Sequence, residues 1–319
     1  MRFIKIIRYI ILVLISAQIF SCQMNKKTFV SESVIKNAKD KLQYALENSS
    51  KWQKVHAAEY ILIHDYSNNV YDIFVEEEKQ NRNEPYYRIG LWRVLNQAAI
   101  SSEEKNQWLD SISKVYEDYT SLDRIHAAET LAKLKVSPNS ISAKVTDSVL
   151  KSDHNPMWAY TYWGTAYTSE KEMYEVKNKL INIILNAEES TLVKKIAIYA
   201  LYKMKNLGVQ NWDLLSSRAV NEPMDSPLYT SLLTCTLANT PKDSLLSSRV
   251  LKCRKKLEKQ IYSSNNNEIA ASLAVYQDIA TEEDLTLLTS FMDKGFDEDN
   301  IEITMAAANA ILCFDSQGR

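Results

Sequence analysis

The residues of this 319-residue chain that could do acid–base or metal chemistry converge on one repeated tetrapeptide. His56-Ala57-Ala58-Glu59 returns as His126-Ala127-Ala128-Glu129, with a basic residue, Lys54 or Arg124, two positions ahead of each copy. A His and a Glu three apart share one face of a helix, so each copy could present an imidazole and a carboxylate to a common ligand. As a metal site the pattern is thin. It is not HExxH, no third ligand is indicated, and no CxxC or Cys/His cluster accompanies it. Nucleophile motifs of the GxSxG or SxxK kind and a phosphate-binding glycine loop are missing. The sequence therefore predicts no metal, no cofactor and no catalytic residue.

The 70-residue separation of the two copies is two repeat units, and a third unit lies between them. Aligning the start of every second amphipathic segment gives Val55, Ile89, Ile125, Trp158, Ile196, Leu228, Ile269 and Ile303, at intervals of 34, 36, 33, 38, 32, 41 and 34 residues. In that register Lys54, Arg88 and Arg124 correspond, as do His56, Gly90 and His126. Glu59, Arg93 and Glu129 correspond too, an acidic–basic–acidic trio on three successive helices. Two readings follow. In the preferred one Arg93 forks to both carboxylates and the trio is a ladder that fixes stacking register. In the other, His56, His126, Arg88, Arg124 and the carboxylates line a ridge for a polar ligand.

The elements that must position these residues are helices. Five glycines and six prolines leave little material for hairpin turns, and 45% apolar with 24% charged residues marks a folded chain. Each unit reads as one helical hairpin. The first helix is rich in alanine (Ala57-Ala58, Ala127-Ala128, Ala197 and Ala200, Ala270-Ala271, Ala306 to Ala308), and the second carries longer side chains such as Trp108, Ile112 and Tyr116, or Val176, Leu180 and Ile184. Helix starts are signalled at Ser31 or Ser33, Ser101, Ser169 and Thr281. A hairpin of this kind cannot bury its apolar face alone, so neighbours stack. The expected fold is all-α, a right-handed α-solenoid of about seven to eight hairpins over residues 31–319. Its alanine-rich first helices and variable pitch resemble HEAT repeats of the armadillo-like class, and the tetratricopeptide signature is absent. The final helix, 300–314, has no second helix after it, and its polar residues Glu302, Thr304 and Asn309 are expected on a solvent-facing cap.

Aromatic residues concentrate in 85–167, where Trp92, Trp108, Trp158 and Trp163 occur with seven tyrosines. The run Trp158-Ala159-Tyr160-Thr161-Tyr162-Trp163 puts rings all round one helix, more than a single apolar stripe holds. Bulk beside the alanine-rich helices is one explanation. A stacking platform of Trp92, Trp158, Tyr160 and Trp163 for a glycan or peptide is the other.

Residues 1–21 stand apart. Arg2, Lys5 and Arg8 precede an apolar stretch from Ile10 to Phe20, in the charge order of a secretory signal. Ile19-Phe20-Ser21-Cys22 resembles a bacterial lipobox, which implies lipidation of Cys22, a polar tether over 22–30, and an envelope location. Gln23 after the cysteine favours the outer membrane. Removing the signal takes three positive charges from a formal −2 and leaves −5, a balance that points away from nucleic acid. Cys235, Cys253 and Cys313 are no disulfide framework, and buried free thiols are expected over a Cys235–Cys253 bridge. The combination of signal and repeats resembles HEAT-repeat lipoproteins of Bacteroidetes-type bacteria. The resulting expectation is a lipid-anchored, non-enzymatic binding or scaffolding protein that engages a protein partner through the solenoid surface. Glycan or small-ligand binding along units one to four is the alternative, and an α/α-toroid carbohydrate-active enzyme the distant one.

Overall fold

The computed structural model describes residues 30–317 apart from 65, 67, 68 and 298, so the expected signal peptide, Cys22 and most of the tether lie outside the described residues. Among the described residues the regular structure is all helical, with no strand. In chain order the helices are α1 (Glu32–Asn48), α2 (Lys51–Ile63), α3 (Val70–Asn81), α4 (Tyr87–Ala98), α5 (Ser102–Glu117), α6 (Arg124–Lys133), α7 (Pro138–Leu150), α8 (Pro156–Thr165) and α9 (Glu170–Leu185). They continue as α10 (Thr191–Met204), α11 (Val209–Asn221), α12 (Tyr229–Ala238), α13 (Ser248–Gln260), α14 (Asn266–Ala274), the single turn α15 (Tyr276–Ile279), α16 (Leu285–Met292) and α17 (Ile301–Ser316). No helix among them is long and apolar enough to cross a membrane.

The starts obey local chemistry. Ser31 accepts from the Val34 N–H, Ser101 and Glu104 form a reciprocal capping box, and Ser169 accepts from the Glu172 N–H. Each satisfies donors that the first helical turn leaves unpaired. Pro138 stands at the first position of α7, where its missing N–H costs nothing.

The stacked hairpins are present as the spacing predicts, and they close into a ring. Helices α2, α4, α6, α8, α10, α12, α14 and α17 form an inner circle in which each packs on the next, and α17 returns to pack on α2. The aligned positions Val55 to Ile303 all fall on these inner helices or, for Leu228, at the residue that begins one. The remaining long helices lie outside.

Closure corrects the expected solvent-facing cap. The second helix of the last unit is α1, brought from the other end of the chain to cover α17. Every residue from Ile301 to Phe314 is buried except Glu302, and Thr304 and Asn309 are wholly buried. The seam is tied by Asn37 donating to Asp293 (3.1 Å), His56 to Glu302 (2.8 Å) and His64 to Asn309 (2.9 Å). Tyr44 lies against Phe296 with ring centres 4.3 Å apart.

Two glycines allow close approach within the stack. A Cβ on Gly90 would meet the Trp52 ring at 2.8 Å, and one on Gly164 would meet Pro138 Cδ at 2.8 Å. The space beside Gly90 is filled by the Trp52 ring.

Candidate functional site

The inner circle encloses a central cavity of about 670 Å³ to which all eight inner helices contribute. One wall is polar and aromatic: His56, Glu59 and Tyr60 from α2, Gln97 from α4, Lys133 from α6, and Tyr199, Tyr202 and Lys203 from α10. The facing wall is small and largely apolar, with Ala270, Ala271 and Ala274 of α14, Ala306 of α17, and Ser231 and Thr234 of α12. The alanines of α14 therefore leave room where those of α2 and α6 serve close packing.

Behind the polar wall lies a buried ion network. Arg93, 2% exposed, donates from Nε to Glu59 Oε1 at 2.5 Å and from Nη1 to Thr130 Oγ1 at 3.2 Å. Glu129 is held by Lys133 at 2.8 Å, with His126 Nδ1 3.8 Å from its other oxygen. The expected fork of Arg93 to both carboxylates is therefore not made: Thr130 takes the second bond, and Arg93 acts on Glu129 through space. Burial pushes the Glu59 carboxyl upward, but the charges of Arg93 and Lys133 outweigh it and bring the group down to about 2. Glu129, likewise opposed by burial, is held well below the usual carboxylate range by Lys133, His126 and Arg93. Neither has a proton to give at neutral pH, so neither is a general acid in the ordinary sense.

His56 does not meet His126. Its Nδ1 pairs with Glu302 across the seam at 2.8 Å, and His56 lines the cavity. His126 sits edge-on to Tyr86, ring centres 5.2 Å apart, and 6.0 Å from Trp52. Among the described residues no cluster of three His, Cys, Asp or Glu side chains could hold a metal ion.

The basic trio is spent internally. Lys54 pairs with Glu77 at 2.9 Å; Arg88 forks to the wholly buried Asp123 at 2.7 and 3.0 Å; Arg124 donates to the Tyr116 carbonyl at 2.8 Å and lies over the Tyr119 ring. The aromatic ridge is dismantled too. Trp92 and Trp158 are buried in the walls of the ring, Trp158 stacked on Tyr162 with ring centres 4.8 Å apart, and Tyr160 is half-buried. Of the four residues of that ridge only Trp163 touches the cavity, and it is fully buried beneath the lining. The tyrosines that line the cavity are instead Tyr60, Tyr167, Tyr199 and Tyr202, of which only Tyr167 falls in the aromatic-rich stretch 85–167.

Several lining groups make no hydrogen bond within the described protein: the Gln97 amide, the Tyr60 and Tyr199 hydroxyls, and the Lys203 ammonium. Buried groups of this kind would be costly to leave unpaired; these face the cavity and are free to bond what enters it. By contrast Tyr202 is fixed: Gln277 donates to its hydroxyl at 2.5 Å, and Asn309 donates to Gln277 at 3.0 Å. The arrangement offers converging donors and acceptors, tyrosine rings and a far wall of small side chains.

No family model and no curated protein matches the chain.

Proposed function

We propose that this is a binding protein whose ligand, a small polar molecule with flat faces, occupies the central cavity. One observation carries the reading: unpartnered hydrogen-bonding groups and tyrosine faces converge on one central cavity. A pocket of this size with a few placed polar groups is the usual form of a small-molecule site, and Tyr offers stacking and hydrogen bonding together. The HEAT-like repeat class and the lipid anchor at Cys22 belong to the same proposal. They give an envelope protein, held at the outer membrane, that carries its ligand site inside a ring.

The test fills the space. Ala271 is exposed to the cavity, so Ala271→Trp occupies it without disturbing the packed core. A thermal-shift screen of the full mature chain against saccharides, amino acids and nucleosides should yield ligands that stabilise the wild type and not Ala271→Trp. Equal stabilisation of both proteins would remove the cavity from the reading. The anchor has its own test: Cys22→Ala should leave the detergent phase on phase partition, and continued partitioning would defeat lipidation.

A protein partner is the second reading, favoured by one face of the ring. The connections that lead into inner helices expose Tyr86, Tyr119, Leu122, Met224 and Tyr262, and Leu192 is exposed in the first turn of α10. Affinity capture with Tyr119→Ser/Leu122→Ser as the control tests that face.

A further inference from the structure

The charges that line the cavity are mostly committed, and the ones left over have a single sign. Glu59 is bonded to Arg93, Glu302 to His56, and Lys133 to Glu129. Two lining charges have no ion-pair partner among the described residues, Lys135 and Lys203, and both are cationic and exposed. Lys203 is the better placed. It lies one turn beyond Tyr199 and next to Tyr202, with Nζ 5.6 Å from the centre of each ring. Lys133 stands 5.5 Å from the same Tyr199 ring. Nearby Lys205 is neutralised by Asp278 at 2.7 Å. A free ammonium thus adjoins two tyrosines, with the unbonded Tyr60 and Tyr199 hydroxyls and Gln97 on the same wall.

We infer that the ligand is an acidic saccharide, its carboxylate on Lys203, its pyranose face on Tyr199, and its hydroxyls on the polar wall. The inference rests on the cavity reading above. Lys203, Lys135 and Gln97 all stand at or just past the C-terminal ends of inner helices, where carbonyl groups lack intrahelical donors. Such ends accept from hydroxyls and oppose dense negative charge, whereas phosphate groups favour helix N-termini. A polyol with one isolated anion suits this wall better than a nucleotide.

The experiment is titration calorimetry of the full mature chain with a tetrasaccharide that carries a single uronic-acid residue and with its carboxyl-reduced, neutral counterpart. Loss of one charge-assisted contact corresponds to about tenfold in affinity. The acidic sugar should therefore bind about tenfold tighter than the neutral one. Lys203→Gln should bring the two together, and Lys203→Arg should keep most of the difference. A lysine that only offsets the helix dipole predicts no change in Lys203→Gln, and that result overturns the inference, as does equal binding of the two sugars or binding of neither. Ala271→Trp separates the levels. If it leaves tetrasaccharide binding intact, the cavity reading fails; if it abolishes binding while the two sugars bind the wild type equally, the cavity stands and the acidic class falls.

Discussion

Removing the charge of Arg93 is the sharpest perturbation of this ring. Arg93→Met keeps most of the side-chain length and leaves Glu59, 24% exposed at the cavity wall, without its hydrogen-bonded cation and Thr130 without its donor. Breaking a buried pair by deleting one partner costs about 3–5 kcal/mol. The net displacement of Glu59 from 4.5 to about 2, set by burial against the charges of Arg93 and Lys133 together, is of the same order; at 1.36 kcal/mol per pH unit it corresponds to roughly 3 kcal/mol. With an unfolding entropy near 2.1 cal/mol/K per residue over the described chain, that becomes a fall in Tm of roughly 5–8 °C. The assay is thermal and urea unfolding of wild type, Arg93→Met, Glu59→Gln and the double variant. The double should be at least about 2 kcal/mol less damaged than the sum of the singles, since it leaves no uncompensated charge. The pH arm is equally specific. Because the folded value of Glu59 lies below its unfolded one, its stabilisation is complete above pH 4.5 and is lost as the pH falls toward 2. The stability gap between wild type and Glu59→Gln should close over that window. Additive single variants, or a gap unchanged at pH 2, would refute the electrostatic account.

Three further outcomes follow from the packing. Leu42 of α1 is wholly buried in the core that covers α17, so Leu42→Ala should cost about 2–5 kcal/mol and accelerate hydrogen exchange in α17; unchanged exchange there would mean that α1 does not hold the seam. Gly164→Ala drives a methyl to 2.8 Å from the rigid Pro138 ring and should destabilise by about 1–3 kcal/mol in urea unfolding, whereas a neutral result would show that α7 and α8 can separate freely. Burial raises the Cys235 thiol to about 12 and the Cys253 thiol to about 11. Neither should react with iodoacetamide at pH 8 until guanidinium unfolds the chain; rapid native labelling would contradict their burial.

Local features were readable without the structure, and non-local ones were not. The 3.6-residue period, the caps at Ser31, Ser101 and Ser169 and the unit spacing depend on neighbours in sequence, and each appears where expected. Glu302, Thr304 and Asn309 look solvent-facing in sequence because a helix by itself does not show what covers it. They bond His56, the Gly295 carbonyl and His64, partners supplied by the fold. Trp158 and Trp163 suggested a platform because α8 carries rings on every side; the physical reason is that α8 is walled by α6, α7, α9 and α10. The cavity tyrosines left a fainter trace. Tyr199, Tyr202 and Lys203 fall within four residues of one another on α10, a short polar–aromatic run on a helix otherwise read as core.

Closure also removes the opposition between ladder and site. An array needs its terminal apolar faces covered, and here the two ends cover each other, so that α17 can be apolar nearly all round, as only a buried helix can. Eight inner helices in a circle leave a space at the centre, and the residues that fix how they stack form its wall. Glu59 and Lys133 belong both to the buried network and to the lining. They are therefore not free to be chosen for binding alone or for register alone. A ligand that bonds either one acts on the charges that hold α2, α4 and α6 together, and its binding energy adds directly to the stability of the closed ring. The repeated His-Ala-Ala-Glu motif has the same double character. One copy supplies Glu59 to the wall and His56 to the seam, while the other supplies Glu129 to the lysine that faces the cavity.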